Sequence, residues 1–222
     1  MPVLEWDKIN ERVYETGVSK GVLYLPDNTG AYSTGVAWNG LVSVNESPSG
    51  AESNKQYADN RVYLNLISAE EFSGTIEAFT YPEEFAECDG TAAPRKGVYV
   101  GQQARKGFGF SYQTIVGNDT QLNRYGYKIH LVYGAMATPS EKAYSTVNES
   151  PEPVTFSWEF NTTPVSVTDM DPTALLTIDS TKVDAAGLKA LEDLLYGSES
   201  KTAELPLPDD VFALFAEAGG TP

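Results

Sequence analysis

Apolar and polar positions follow a strand-like rhythm over most of the first 178 residues, and only after them does the period lengthen to that of a helix. Gly21-Val-Leu-Tyr-Leu25, Gly35-Val-Ala-Trp38 and Gly40-Leu-Val-Ser-Val44 are short apolar runs split by Asp27-Asn-Thr-Gly30 and by Asn39-Gly40. An Asn-Gly pair between two apolar runs predicts a hairpin. Residues 45–60 are polar apart from Tyr57, too long a stretch for an ordinary connection, and are expected to form a functional or partner-ordered loop. Extended structure resumes at 61–67. Ser68-Ala-Glu-Glu71 fits a capping box, so at most one helical turn is expected there before the alternating run 75–81. Pro82-Glu-Glu-Phe-Ala-Glu-Cys88, stopped by Asp89-Gly90, reads as a short helix with Pro at its first position. Further strands are expected at 97–101, 107–116, 126–133, 154–160, 165–168 and 175–178.

The period then changes. Asp179-Ser-Thr181 offers an N-cap cluster, Leu188, Leu191 and Leu195 recur on one face, and Gly197 stops the run. This predicts an amphipathic helix over about 182–196. Residues 198–205 read as a linker. A short C-terminal helix begins at Pro208-Asp-Asp and ends before Gly219-Gly220; its Val211, Phe212, Leu214 and Phe215 must dock on their own domain or on a neighbour.

One word occurs twice: Val44-Asn-Glu-Ser-Pro48 and Val147-Asn-Glu-Ser-Pro151. Asn and Ser side chains bond to nearby backbone, and Pro removes a donor, so both copies read as strand-to-loop corners. Two copies this far apart exclude a solenoid and fit a pseudo-symmetric fold, an old duplication or chance convergence. The first opens the polar segment 45–60, whereas the second leads directly into 154–160.

Composition sharpens the picture through charge. The 222 residues carry 31 acidic against 15 basic side chains, a net charge of −16 that disfavours binding DNA by neutralising phosphates. One cysteine, Cys88, allows no internal disulfide. The first residues lack a basic and then apolar leader, and no run is long enough for a membrane span, so a chain made in the cytosol is expected.

Candidate chemistry is sparse. His130 is the single histidine and lies in an alternating strand, where a surface or interface role outweighs a catalytic one; pairing with Cys88 would need a tertiary coincidence. Lys106-Gly-Phe-Gly-Phe-Ser111 begins like an RNA-binding signature and then departs from it at Ser111 and Gln113. Glu83-Glu84 and Asp169-Met-Asp171 are expected to be solvated acids; they lack an EF-hand spacing. Asn118-Asp-Thr120 and Asn161-Thr-Thr163 match a glycosylation pattern that has no meaning without secretion. There is no phosphate-binding glycine loop. The reading therefore names no catalytic, cofactor or metal residue and expects a structural protein rather than an enzyme. The alternative of another class is a carbohydrate-binding β-sandwich module using Trp6, Trp38 or Trp158 as platforms, although Trp38 and Trp158 sit in strand patterns that favour the core.

Taken together, several segments resemble the major tail proteins, or tail tube proteins, of long-tailed non-contractile bacteriophages of Gram-positive hosts. They are Tyr14-Glu-Thr-Gly-Val-Ser-Lys-Gly-Val-Leu-Tyr24, Gly35-Val-Ala-Trp-Asn-Gly-Leu41, Glu46-Ser-Pro-Ser-Gly-Ala-Glu52 and Tyr57-Ala-Asp-Asn60. To these add Glu77-Ala-Phe-Thr-Tyr-Pro-Glu-Glu-Phe85, Cys88-Asp-Gly90, Gly107-Phe-Gly-Phe-Ser-Tyr112, His130-Leu-Val-Tyr-Gly134, Thr162-Thr-Pro164 and Leu191-Glu-Asp-Leu-Leu-Tyr-Gly197. The resemblance spans about 13–197; residues 198–222 fit it less clearly.

What it implies is a mainly β fold, an antiparallel β-sandwich or partly closed barrel with a flanking α-helix and a short C-terminal helix. Residues 1–197 would form the tube domain, and 198–222 a linker and helix or arm. The implied function is a virion structural protein that assembles in the host cytoplasm into stacked hexameric rings, the tail tube through which the genome is ejected. Its partners would be copies of itself and the tape measure, tail terminator and distal tail proteins. Viral DNA would pass the lumen without specific binding, and no membrane would be engaged. Expected subunit-interface residues are Glu46, Pro48, Gly50, Glu52, Tyr57, Phe212 and Phe215.

Overall fold

The computed structural model describes residues 3–215 apart from 148, 150 and 151. It is mainly β, dominated by one antiparallel sheet with the strand order β2-β1-β11-β12-β13-β8-β3 and β16 added to the side of β12. These strands are β1 (Val13–Leu25), β2 (Thr34–Trp38), β3 (Leu41–Glu46), β8 (Ser73–Ala78), β11 (Phe108–Asn118), β12 (Leu122–Ala137), β13 (Phe156–Thr162) and β16 (Leu175–Asp179). Two-stranded ribbons complete the set: β4 (Ser49–Gly50) with β7 (Glu70–Glu71), β5 (Ser53–Ala58) with β6 (Arg61–Ile67), β9 (Ala92–Arg95) with β10 (Val98–Val100), and β14 (Val165–Val167) with β15 (Met170–Thr173).

The sheet folds over on itself because β12 changes neighbours along its length. Its residues 128–132 pair with β16, and residues 135–137 pair with β13. The change falls at Gly134, which has φ +58. A Cβ there would overlap the Thr163 carbonyl, so the bend needs glycine both for its dihedral and for its space. Beyond the bend, β13, β8 and β3 face β1, β2 and β11 across an aromatic core of Trp38, Phe85, Phe108, Phe110, Trp158 and Phe160. Trp38 stacks 4.5 Å from Phe85 and 5.6 Å from Trp158, in the tilted and edge-on arrangements that aromatic quadrupoles favour. Trp38 (3% exposed) and Trp158 (1%) are thus core residues, as their strand patterns indicate. The result is sandwich-like and is not a closed barrel.

The opposite face of β1, β11 and β12 carries a second core. Val22, Tyr24, Ile129, Leu131, Tyr133 and Ile178 meet Leu191 and Leu195 of α1 (Ala185–Leu195) and Val211 of α2 (Pro208–Leu214). The central strands are therefore covered on both faces, which is why every residue of Phe108–Asn118 is buried or half-buried although Ser111, Gln113, Thr114 and Asn118 interrupt its apolar residues. Helix α1 starts later than its leucine pattern predicts. Asp184, rather than the 179–181 cluster, is its cap and accepts from the Gly187 N–H at 2.7 Å. Asp179 instead closes its own turn onto Thr181.

Helix α2 has Pro at its start and acids in its first turn, and it docks on its own chain; positions 216–218 of the expected helix lie outside the described residues. Residues 198–207 run along the outer edge of β2. Gly35 N–H donates to the Ala203 carbonyl and Leu205 N–H to that of Tyr32, while Leu205 is buried.

Four local expectations are corrected. Asn39-Gly40 is not a hairpin turn: β2 pairs with β1 and β3 with β8, and the pair forms a corner between layers, with Gly40 at φ +74. Segment 45–60 is not a loop. Its second half is β5, which returns through Asp59-Asn60, both in the left-handed region, as a tight hairpin with β6. Residues 68–71 form no helical turn; Glu70–Glu71 pair with Ser49–Gly50. The expected helix after Pro82 is a single 3-10 turn, Glu83–Glu87, that buries Phe85 and Ala86.

Candidate functional site

No enclosed reactive centre is present among the described residues, and no three His, Cys, Asp or Glu side chains gather as a metal site there. Among the described residues no helix is long and apolar enough to cross a membrane. What the fold does present is three surfaces at which satisfied structure stops.

The first is a pair of open sheet edges. Strands β1, β11, β12 and β16 are antiparallel neighbours. β2 covers only Gly21–Leu25 of β1, so among the described residues no strand pairs with the outer edge of residues 13–20. β16 likewise pairs with β12 on one side and with no strand on the other. Beside that edge α2 forms a cleft of about 690 Å³ with Leu176, Ile178, Val183, Phe212 and Phe215. Phe212 and Phe215 are thereby brought together at the β16 edge, with Phe215 also packed into the second core.

The second surface is the arm formed by β4 to β7. Every residue of β5 and β6 is exposed, yet the arm carries Tyr57 (70% exposed), Val62, Tyr63, Leu64, Leu66 and Ile67. Register places Leu64 opposite Gln56 and Leu66 opposite Asn54, so the two leucines share one face. A two-stranded ribbon is marginal in water by itself, and one with this many solvated apolar side chains asks for a partner.

The other expected interface residues sit at the root of this arm. Pro48 and Glu52 are exposed, and Gly50 (φ +84) lies against the Ala69 backbone in the β4–β7 pair. In the first Val-Asn-Glu-Ser-Pro copy, Val44 to Glu46 end β3 and Pro48 begins the arm; in the second copy, Asn148, Ser150 and Pro151 lie outside the described residues.

Glu46 is engaged within its own chain. The Tyr112 hydroxyl donates to Glu46 Oε1, and His130 Nδ1 lies 3.4 Å from the same oxygen. His130 stacks on Tyr112 with ring centroids 4.6 Å apart, and its Nε2 is 3.0 Å from Thr114 Oγ1. Burial lowers the His130 pKa from its ordinary value, against the opposing pull of Glu46 and Glu15. Burial first, then the bond to Glu46, raises that of Tyr112. The cluster is a polar clasp that fastens the arm's root to the sheet. The single cysteine is separate and inert: Cys88 is buried, and burial pushes its thiol up to about 12.

The third surface is the N-terminal segment, where Val3, Leu4, Trp6 and Ile9 are all exposed. Sequence reasoning found the extended run 61–67, which is β6, and missed its partner β5, because Ser53–Ala58 is polar apart from Tyr57 and Ala58 and carries no apolar alternation. It missed the open edges because pairing partners are not written in one strand.

No protein-family model matches the chain, and no curated protein matches it. One solved structure, the six-fold symmetrised cryo-EM structure of the anti-feeding prophage (AFP) baseplate, is similar over 81% of this chain and 100% of the compared chain, with 9% sequence identity and a TM-score of 0.38.

Proposed function

We propose that this chain is a virion structural protein that joins edge to edge into rings and stacks them into a phage tail tube, the conduit for DNA. The observation that carries this reading is the antiparallel four-strand sheet β1-β11-β12-β16, in which, among the described residues, no strand pairs with the outer edge of residues 13–20 of β1 or with that of β16. Unpaired strand edges are a liability in a monomer and a joint in an assembly. The strand number being even matters. β1 and β16 run in opposite directions, and rotation about a ring axis preserves each strand's direction along that axis. β1 of one copy therefore meets β16 of the next in antiparallel sense, and the ladder continues without a break. Such a joint is heterologous and closes into a ring. Six copies are what the tail-tube resemblance implies.

The solvated arm supports stacking: it extends from the body and offers Leu64 and Leu66 to a neighbouring ring. The net charge of −16 suits a bore that DNA crosses without sticking. Tape measure, terminator and distal tail proteins are the further partners this role entails. The competing sugar-binding reading loses two of its three tryptophan platforms to the core.

Electron microscopy with sedimentation of the purified chain tests the proposal. Rings or striated tubes with one subunit contact repeated around the ring are expected. A persistent monomer at high concentration that binds polysaccharide overturns it.

A further inference from the structure

The exposed N-terminal segment and the β16–α2 cleft are two apolar surfaces without partners, and the edge-to-edge joint brings them together. Residues 3–9 stand in solvent, whereas the segment is pinned where it reaches the body. Asn10 N–H donates to Asp119 Oδ1 at 3.0 Å, and the Thr120 hydroxyl donates to Asn10 Oδ1 at 2.5 Å. The Arg12 guanidinium donates to the Asp7 carbonyl at 2.8 Å. Of the three tryptophans, Trp6 alone is exposed, at 77%.

We propose that residues 3–9 of one copy dock in the β16–α2 cleft of the adjacent copy, with Trp6 as the anchor. This rests on the ring reading above. In an antiparallel joint the first residues of β1 lie beside the C-terminal end of the neighbour's β16. That end of β16 lines the cleft, through Ile178 and Asp179, together with Lys182 and Val183 just beyond it. Residues 3–12 run directly into Val13, so pairing of the strands delivers them to this cleft without further search. The cleft's volume of about 690 Å³ accommodates an indole, and its Leu176, Ile178, Phe212 and Phe215 supply the apolar walls. Tryptophan is one of the residue types enriched among binding anchors, which sit in well-packed, desolvated pockets. Charge at the rim is mixed: Lys182, its side chain 79% exposed, pairs with Asp179 at 3.4 Å beside Asp184. On the segment Lys8 pairs with Glu5 at 2.9 Å. The apolar contact of Trp6 therefore carries the docking, and Lys182 is the one rim cation open to Asp7.

Acrylamide quenching of tryptophan fluorescence in the full chain tests this, because Trp38 and Trp158 are buried and the quenchable signal of the free chain belongs to Trp6. On assembly, quenching is expected to fall severalfold and emission to shift to the blue. Phe212→Ser, in rings verified by microscopy, should quench like the free chain; Lys182→Glu, which leaves the helix core intact, should lose part of the protection. Assembled rings whose Trp6 stays quenchable overturn the docking and leave the ring reading standing. So does unchanged protection in assembled rings of both variants, which places Trp6 in another site. Protection already present in the dilute monomer also overturns it, since the segment then occupies its own chain's cleft. If no rings form at any concentration, the ring reading fails and this inference fails with it.

Discussion

Replacing Leu64 and Leu66 together by Thr isolates what the arm contributes to assembly. Both side chains are about half exposed, at 50% and 54%, so neither holds the monomer together. Thr preserves the strand propensity of the ribbon, and register keeps both positions on one face. Full burial of a leucine stabilises by about 1.5–3 kcal/mol, so covering the exposed half of each contributes about 1 kcal/mol. Losing both from a joint costs about 2 kcal/mol, or roughly a 30-fold weaker association per contact. Sedimentation velocity against concentration reads this directly as a rise in the concentration at which particles larger than the monomer appear. Thermal unfolding of the dilute monomer is the control and should move little, because exposed substitutions typically change stability by about 0.5 kcal/mol or less. An unchanged assembly threshold with an intact monomer would refute the argument: the arm's apolar face would then stay in solvent after assembly.

Three other outcomes follow from the same structure. Gly134→Ala should destabilise the monomer by about 3 kcal/mol, combining a left-handed dihedral with displacement of the Thr163 carbonyl, measured as a lowered urea midpoint; a change below about 1 kcal/mol would show that the bend does not depend on glycine. His130 has a folded-state pKa below its unfolded value near about 6.5, so it binds a proton more readily when unfolded. Its contribution to stability is present above that value and is lost as pH falls through the folded pKa. The wild type should therefore lose more stability than His130→Gln between about pH 7.5 and about pH 5, and equal losses would contradict the assignment. Finally, copies carrying −16 each repel at low salt, so raising NaCl from about 10 to about 150 mM should lower the assembly threshold. A raised threshold would point to joints dominated by opposite charges.

The strands of the body were legible because half-buried and fully buried strands leave different signatures, and both are present. Phe110 and Tyr112 alternate with Ser111 and Gln113, and Ile129 and Leu131 with Lys128 and His130, so the strand period survives in β11 and β12 although α1 and α2 cover the face that an ordinary sandwich exposes. The amphipathic helix was legible from Leu188, Leu191 and Leu195, while its first turn was misplaced because Asp179 and Asp184 are equally good caps by composition. Asn39-Gly40 carried correct local chemistry and an incorrect pairing. An Asn-Gly turn fixes a reversal of the chain but not the sheet partner of each flank: Trp38 lies in β2 beside β1 and Leu41 in β3 beside β8, although both pack into one aromatic core. The interface candidates near 46–57 fell on one structural unit, although Glu46 turns inward to Tyr112 rather than outward.

The joint itself is the least legible part, for a physical reason. A strand edge that another copy would cover on the proposed reading has the composition of an interior strand, and Leu175-Leu-Thr-Ile178 looks no different from a strand with two neighbours. What distinguishes it is a missing partner, which only the topology reveals. In the proposed assembly such an edge would need protection until it is covered, and the charge would provide it. Bare edges on a neutral chain would pair indiscriminately, in any register and with any strand. On a chain with 31 acids against 15 bases, two copies are repelled at long range and gain only from the close, extended match of one edge to its complement. The same acids that keep the monomer apart would also keep DNA from adhering to the finished bore. On the proposed reading, excess negative charge would serve orderly assembly first and passage second.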